Sequence, residues 1–344
     1  MTLLAHILLF ALSACVMWLL SGVLIDATDT VARRYRKSGF AVAFFVLGFL
    51  TSIGEMSVLV SASAGGVPQV SAGNLLGASV VIILLIIPVL AIFGNGIQMA
   101  RALHPSTIAL LLGVVLLPSL LTLDGTLGIA EGFIMIFLYA TIFFLVQKRH
   151  PAEQEASEAI QETERMLLHK KHATLIDCGK IAIGGILIFL SGIILVEESV
   201  YFATILHIPF SFVGLLLLSI GTNVPEFVIA VRCVLGRHKD IAFGDYMGSA
   251  AANTFLFGLL AVANGPFHIE ASETRLTFIV FAIGAVLFFL FSRTRGTLSR
   301  KEGLILLSLF LLFMTMQIGN AVRLSDETRP METLTQAILA RSKK

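Results

Sequence analysis

Two glutamates, Glu55 and Glu226, stand 171 residues apart in two copies of one short pattern, each inside apolar sequence. The first copy reads TSIGE (Thr51–Glu55) and continues to GNLLGAS (Gly73–Ser79). The second reads TNVPE (Thr222–Glu226) and continues to GDYMGSA (Gly244–Ala250). In each copy the acid lies 19 residues before the polar residue after glycine, Asn74 or Asp245. A carboxylate near a bilayer centre costs several kcal/mol, so it reads as a functional site by default. Carrying that cost twice at one register points to a transporter built from two repeats.

Of the 344 residues, 57% are hydrophobic and 13% charged, against about 25% charged in soluble domains. Ten apolar spans cover about 3–25, 39–63, 72–95, 104–122, 125–147, 176–197, 207–235, 241–264, 274–292 and 302–319. Most approach the roughly 20 residues a helix needs to cross the hydrocarbon core. Five spans per half is an odd number, so the second half enters from the opposite side. The expected fold is an all-α membrane protein with ten transmembrane helices in two inverted five-helix repeats. The expected divisions are 1–147 and 176–320 for the repeats, a cytoplasmic linker 148–175, and a C-terminal tail 321–344. Acids and lysines fill the linker, as a solvated connector requires.

Basic residues set the orientation. With the N-terminus outside, the odd-numbered loops hold 17 Lys and Arg and the even-numbered loops hold Arg275 alone. The even loops carry Asp124, Glu197, Glu198, Glu270 and Glu273. The positive-inside rule then places both termini outside, with a prokaryotic plasma (inner) membrane as the expected location. Cys15, Cys178 and Cys233 make neither a disulfide framework nor a metal spacing. Leu12–Cys15 resembles a lipoprotein cleavage site, but no basic residue precedes it and the apolar run continues, so an ordinary first span is expected.

Gly54 and Pro225 directly precede the acids. Proline lacks an N–H and opens the helix; glycine does so less forcefully. An opened turn frees backbone carbonyls, which is tolerated at this depth only in a protein-lined or wet cavity. Thr51, Ser52, Thr222 and Asn223 bring further oxygens within one turn of the acids. Asn74, Ser79, Asp245, Ser249 and Asn253 are candidates on the facing spans, where Gly73, Gly77, Gly244 and Gly248 permit close approach. Two carboxylates among oxygen ligands suit a hard cation such as Ca²⁺; no His or Cys in either motif argues against a soft metal. Ser52, Ser61, Ser63 and Ser71 can equally serve as plain interhelical hydrogen-bonding groups. Asn95 and Asn264 read as helix caps.

These motifs resemble the repeats of the calcium:cation antiporter superfamily, the sodium/calcium exchanger type, which read approximately GTSLPE and GNxxGSNxxN or GNxxGSNxxD. The second copy is close: Gly221–Glu226, then Gly244–Ala250, with Asn253 after it. The first copy departs from the pattern, with Gly54 for proline and Ala78 and Ile82 at ligand positions. The resemblance implies that Glu55 and Glu226 bind the ion, with Thr51, Thr222, Ser249 and Asn253 as further ligands. A first-copy sodium site would need remaking with Ser79. Asp245 would add a third negative charge or carry a proton. It also implies that spans 1 and 6 slide past spans 2, 3, 7 and 8.

The expected function is secondary antiport of a divalent cation, Ca²⁺, for Na⁺ or H⁺. The alternative is a cation channel or non-transporting sensor that kept one good half-site. An intramembrane enzyme lacks support, with no HExxH and no GxSxG. No cofactor is expected beyond the transported Ca²⁺, Na⁺ or H⁺. The expected partners are inorganic cations and the lipid bilayer, with no nucleic acid and a monomer as the simplest assembly.

Overall fold

The computed structural model describes residues 2–32, 52–98, 105–148, 173–223, 226–227, 239–294 and 297–342. Its main helices are α1 (Leu3–Ala32), α2 (Ile53–Ala64), α3 (Pro68–Phe93), α4 (Pro105–Leu121) and α5 (Ile129–Lys148). In the second half they are α6 (Ala173–Leu206), α7 (Phe210–Thr222), α8 (Lys239–Asn264), α9 (Ala271–Thr294) and α10 (Arg300–Ser342). Among the described residues, five stretches are long and apolar enough to cross a membrane: Pro68–Phe93, Ala182–Leu206, Tyr246–Asn264, Ala271–Arg293 and Arg300–Leu324. Five shorter apolar helices accompany them. The protein is a mostly helical integral membrane protein.

Polarity is arranged for lipid. On α9 the exposed residues Ile279, Ile283, Val286 and Leu290 recur every three or four positions, so they form one outward apolar stripe. The polar residues Asn74, Ser249, Asn253 and Thr254 are turned inward and buried. Helices α3 and α8 form the centre, packed on α2, α4, α5 and α7. Helices α1 and α6 pack on each other, and α6 also contacts α2. Their contact belongs to a small cluster around Val58, Ala62, Ile188, Leu195 and Leu218, separate from the main core.

Glycine sets the crossing of α3 and α7. A Cβ on Gly73 would run into the Ser211 carbonyl, and one on Gly214 into the Val70 carbonyl and the Asn74 amide. Backbones in contact are the usual product of small residues at membrane helix interfaces. A π-helical stretch, Gly214–Leu218, begins at this crossing; such widenings are frequent at functional sites.

Two short antiparallel ladders tie the halves together. Strand β1 (Ile97–Gln98) pairs with β4 (Thr297–Leu298), and β2 (Thr126–Leu127) pairs with β3 (Phe267–His268). Shifted by the repeat distance of 171, β4 falls on β2 and β1 falls one residue beyond β3, so the two ladders join closely corresponding places of the repeated pattern in opposite order.

Three acids expected in loops are elsewhere. Glu197 and Glu198 lie inside α6, which continues to Leu206, and Glu273 lies in the first turn of α9. Glu198 is buried because His6 of α1 meets it at 2.7 Å. Glu273 is buried against Ser211. Hydrogen-bonding partners from other helices accompany acids that a hydropathy reading assigns to water. The expected tail likewise continues α10 as far as Ser342.

Candidate functional site

Each acid stands three residues after a residue of non-helical geometry, Ser52 or Asn223. In the first copy α2 starts at Ile53, with Ser52 at its N-cap and Glu55 in its first turn. The helix dipole favours negative charge there. In the second copy α7 ends at Thr222, Asn223 leaves helical geometry at φ −89° and ψ 8°, and helical backbone resumes at Glu226 and Phe227. The turns match: the Met56 N–H donates to Ser52 O at 2.9 Å, and the Phe227 N–H donates to Asn223 O at 3.1 Å. Thr51 and Pro225 lie outside the described residues, as does the Asp245 side chain.

Glu55 and Glu226 are fully buried. They repel each other, and the Thr222 hydroxyl lies beside Glu55. No Lys, Arg or His occurs in α2, α3, α7 or Tyr246–Asn264, the segments that enclose them. Among the described residues neither Glu55 oxygen has a hydrogen-bond partner. The Thr222 hydroxyl donates instead to Asn74 Oδ1 at 3.2 Å. Glu226 is better held. Ser249 Oγ donates to its Oε1 at 3.0 Å, and the Tyr246 hydroxyl donates to its backbone carbonyl at 3.3 Å.

The neutral oxygens divide into engaged and available ones. Ser52 and Ser249 meet hydroxyl to hydroxyl at 3.3 Å, joining the two copies. Asn223 spends its Nδ2 on Ser219 O at 2.7 Å, which leaves Oδ1 without a partner among the described residues. Asn253 has neither amide atom partnered there. Ser79 donates back to Leu75 O at 3.2 Å, so its hydroxyl is engaged within α3. Asn264 donates to Leu260 O and to Ser63 Oγ, as a helix-end cap would. Ser63 is thereby accounted for as an interhelical contact.

Sequence reasoning overlooked Tyr246. Its signal was available: Tyr246, Ser249 and Asn253 are spaced three and four apart, on one face of α8. Buried polar groups normally find partners, so partnerless oxygens around two acids mark a place for a cation. Oxygen donors with two carboxylates match the hard-cation preference for 6–8 oxygen ligands. Among the described residues no cluster of three or more His, Cys, Asp or Glu exists, so neutral oxygens must complete any shell formed there.

The family described as sodium/calcium exchanger protein matches residues 5–147 and 179–319. Sodium/calcium exchanger MaX1 of Methanosarcina acetivorans is 32% identical over 122 residues, 35% of this chain and 34% of that protein. The chain thus spans about a third of that relative's length. Inner membrane protein YrbG of Escherichia coli is 23% identical over 85% of this chain and 90% of its own. In three dimensions, the sodium–calcium exchanger NCX_Mj superposes with a TM-score of 0.66 at 20% identity, over 92% of this chain and 99% of that one. That likeness establishes a shared fold.

Proposed function

The chain belongs to the sodium/calcium exchanger family, and from that premise we propose that it is a secondary antiporter exchanging a divalent cation, Ca²⁺, for Na⁺ or H⁺. Its ligand set is Glu55 and Glu226 with Ser52, Thr51, Asn74, Ser79, Thr222, Asn223, Asp245, Ser249 and Asn253. The observation that carries the reading is the pair of fully buried acids, with further buried oxygens unpartnered among the described residues and no basic residue in α2, α3, α7 or Tyr246–Asn264.

The mechanism follows from charge. Two carboxylates in a dry interior are costly unless neutralised. The protein therefore changes its open side only when one divalent ion, or at least two monovalent cations, occupies the pair. Exchange is then obligatory. The ladders and the matched turns support two inverted halves, 1–147 and 176–320, joined by 148–175. The moving part is the pair α1 and α6, which meets α2, α3 and α7 through a small apolar cluster separate from the main core. Both termini face outward in an inner membrane.

The test is ⁴⁵Ca²⁺ uptake into proteoliposomes under an outward Na⁺ or an outward H⁺ gradient at clamped voltage. Uptake driven by one gradient alone identifies the counter-ion. Flux without any counter-ion favours the channel reading, to which the unsupported Glu55 gives some ground. Calcium binding without flux favours the sensor.

A further inference from the structure

Glu273 is a third acid with no exposed surface, and it lies apart from the proposed ligands. Its Oε2 accepts a hydrogen bond from Ser211 Oγ at 2.5 Å. Its Oε1 has no hydrogen-bond partner among the described residues. Gln317 of α10 approaches the same turn of α9. Gln317 Nε2 donates to the Glu273 backbone carbonyl at 3.2 Å and to Thr277 Oγ1 at 3.0 Å. Thr277 in turn donates to that carbonyl at 2.8 Å. A carbonyl can only accept, so the amide orientation of Gln317 is settled and its Oε1 is a true acceptor. That oxygen is also without a partner among the described residues. Two buried acceptors on one patch thus lack a donor.

Among the described residues the acid makes no ion pair. Helices α3, α4 and α7, which pack around this region, contain no titratable side chain in their described spans. Glu270, one turn earlier, is a further acid and accepts from Ser272 Oγ at 3.2 Å. Arg275 directs its Nε to Leu123 O at 3.4 Å. His268 is exposed in β3. Helix α10 meets Glu273 through Gln317, with its nearest charged residue, Arg323, six positions further on.

We propose that Glu273 is a proton-binding site, held as a carboxylic acid in the folded protein, that latches α9 and α10 to the start of α7. One proton on Oε1 converts a stranded acceptor into a donor, and Gln317 Oε1 is the acceptor on that patch that lacks one. Oε2 keeps its bond from Ser211. The position matters because the Ser211 backbone is in contact with Gly73, next to Asn74 of the cation site. The proton therefore holds the crossing that carries both motifs, without being a transported ion.

Infrared spectra of the purified full-length protein test this at neutral pH. The protonated-carboxyl C=O stretch should be present in wild type, lost in E273Q and shifted in S211A. Loss of a carboxylate stretch in E273Q instead would overturn the proposal. Thermal unfolding gives a second readout. Glutamine reproduces both the acceptor and the donor of the acid, so E273Q should unfold within about 3 °C of wild type, and E273A at least about 6 °C lower. Equal losses in both variants, or Na⁺-dependent stabilisation that E273Q abolishes, would mean a charged acid and defeat the assignment.

Discussion

The two copies of the motif hold their acids differently, and single residues explain why. Glu226 receives a hydroxyl from Ser249 and has its backbone carbonyl tied by Tyr246. Shifted by the repeat distance of 171, those positions are Ala78 and Leu75, a methyl and an isobutyl group. Neither can donate, and neither oxygen of Glu55 has a partner among the described residues. Asn253 likewise corresponds to Ile82. The backbone repeats while the oxygens do not. Duplication conserves a turn through its hydrogen bonds, but a ligand shell depends on side chains that drift independently.

The largest effect should come from removing either acid. E55Q and E226Q are each expected to lower exchange by roughly 100-fold or more, the scale of about 3 kcal/mol for breaking a buried charged set. Gradient-driven ⁴⁵Ca²⁺ flux measures this, and wild-type exchange in both variants would remove the acids from the mechanism. S249A makes the second copy resemble the first. Losing one hydrogen bond to a charged group, about 1.5–3 kcal/mol, should weaken Ca²⁺ binding at least about tenfold by calorimetry. N253A should cost less, about threefold to tenfold, because its amide replaces no existing hydrogen bond. A78S is the converse change. It offers Glu55 the donor that Glu226 already has, and should alter apparent Na⁺ affinity by about threefold, toward tighter binding. An S249A loss with no A78S gain would show that the asymmetry is built into the backbone as well as the side chains.

Several features were legible along the chain. The apolar runs dictated membrane helices because hydropathy and length decide spanning with little help from context. Glu55 and Glu226 stood out because an acid in such a run is costly wherever the helix packs. Glycines 73 and 77 signalled a close crossing, and α3 and α7 do meet there. Other features needed the fold. Glu197, Glu198 and Glu273 were read as loop acids, since an average over sequence cannot see His6 or Ser211 arriving from another helix. That the Ser79 hydroxyl donates back along α3, to Leu75 O, was visible only in the fold. Tyr246 was a residue in a motif until the approach of α8 to Glu226 gave its hydroxyl an acceptor.

The sequence by itself determined that this is a membrane protein with a duplicated acidic motif, because burial cost and repeat spacing are properties of single residues and their order. Tertiary structure alone decided which oxygens face the acids, which are spent on neighbours, and which acid stands unsupported. Hydrogen bonds require distances near 3 Å and aligned directions, and those are set only when helices from distant parts of the chain cross.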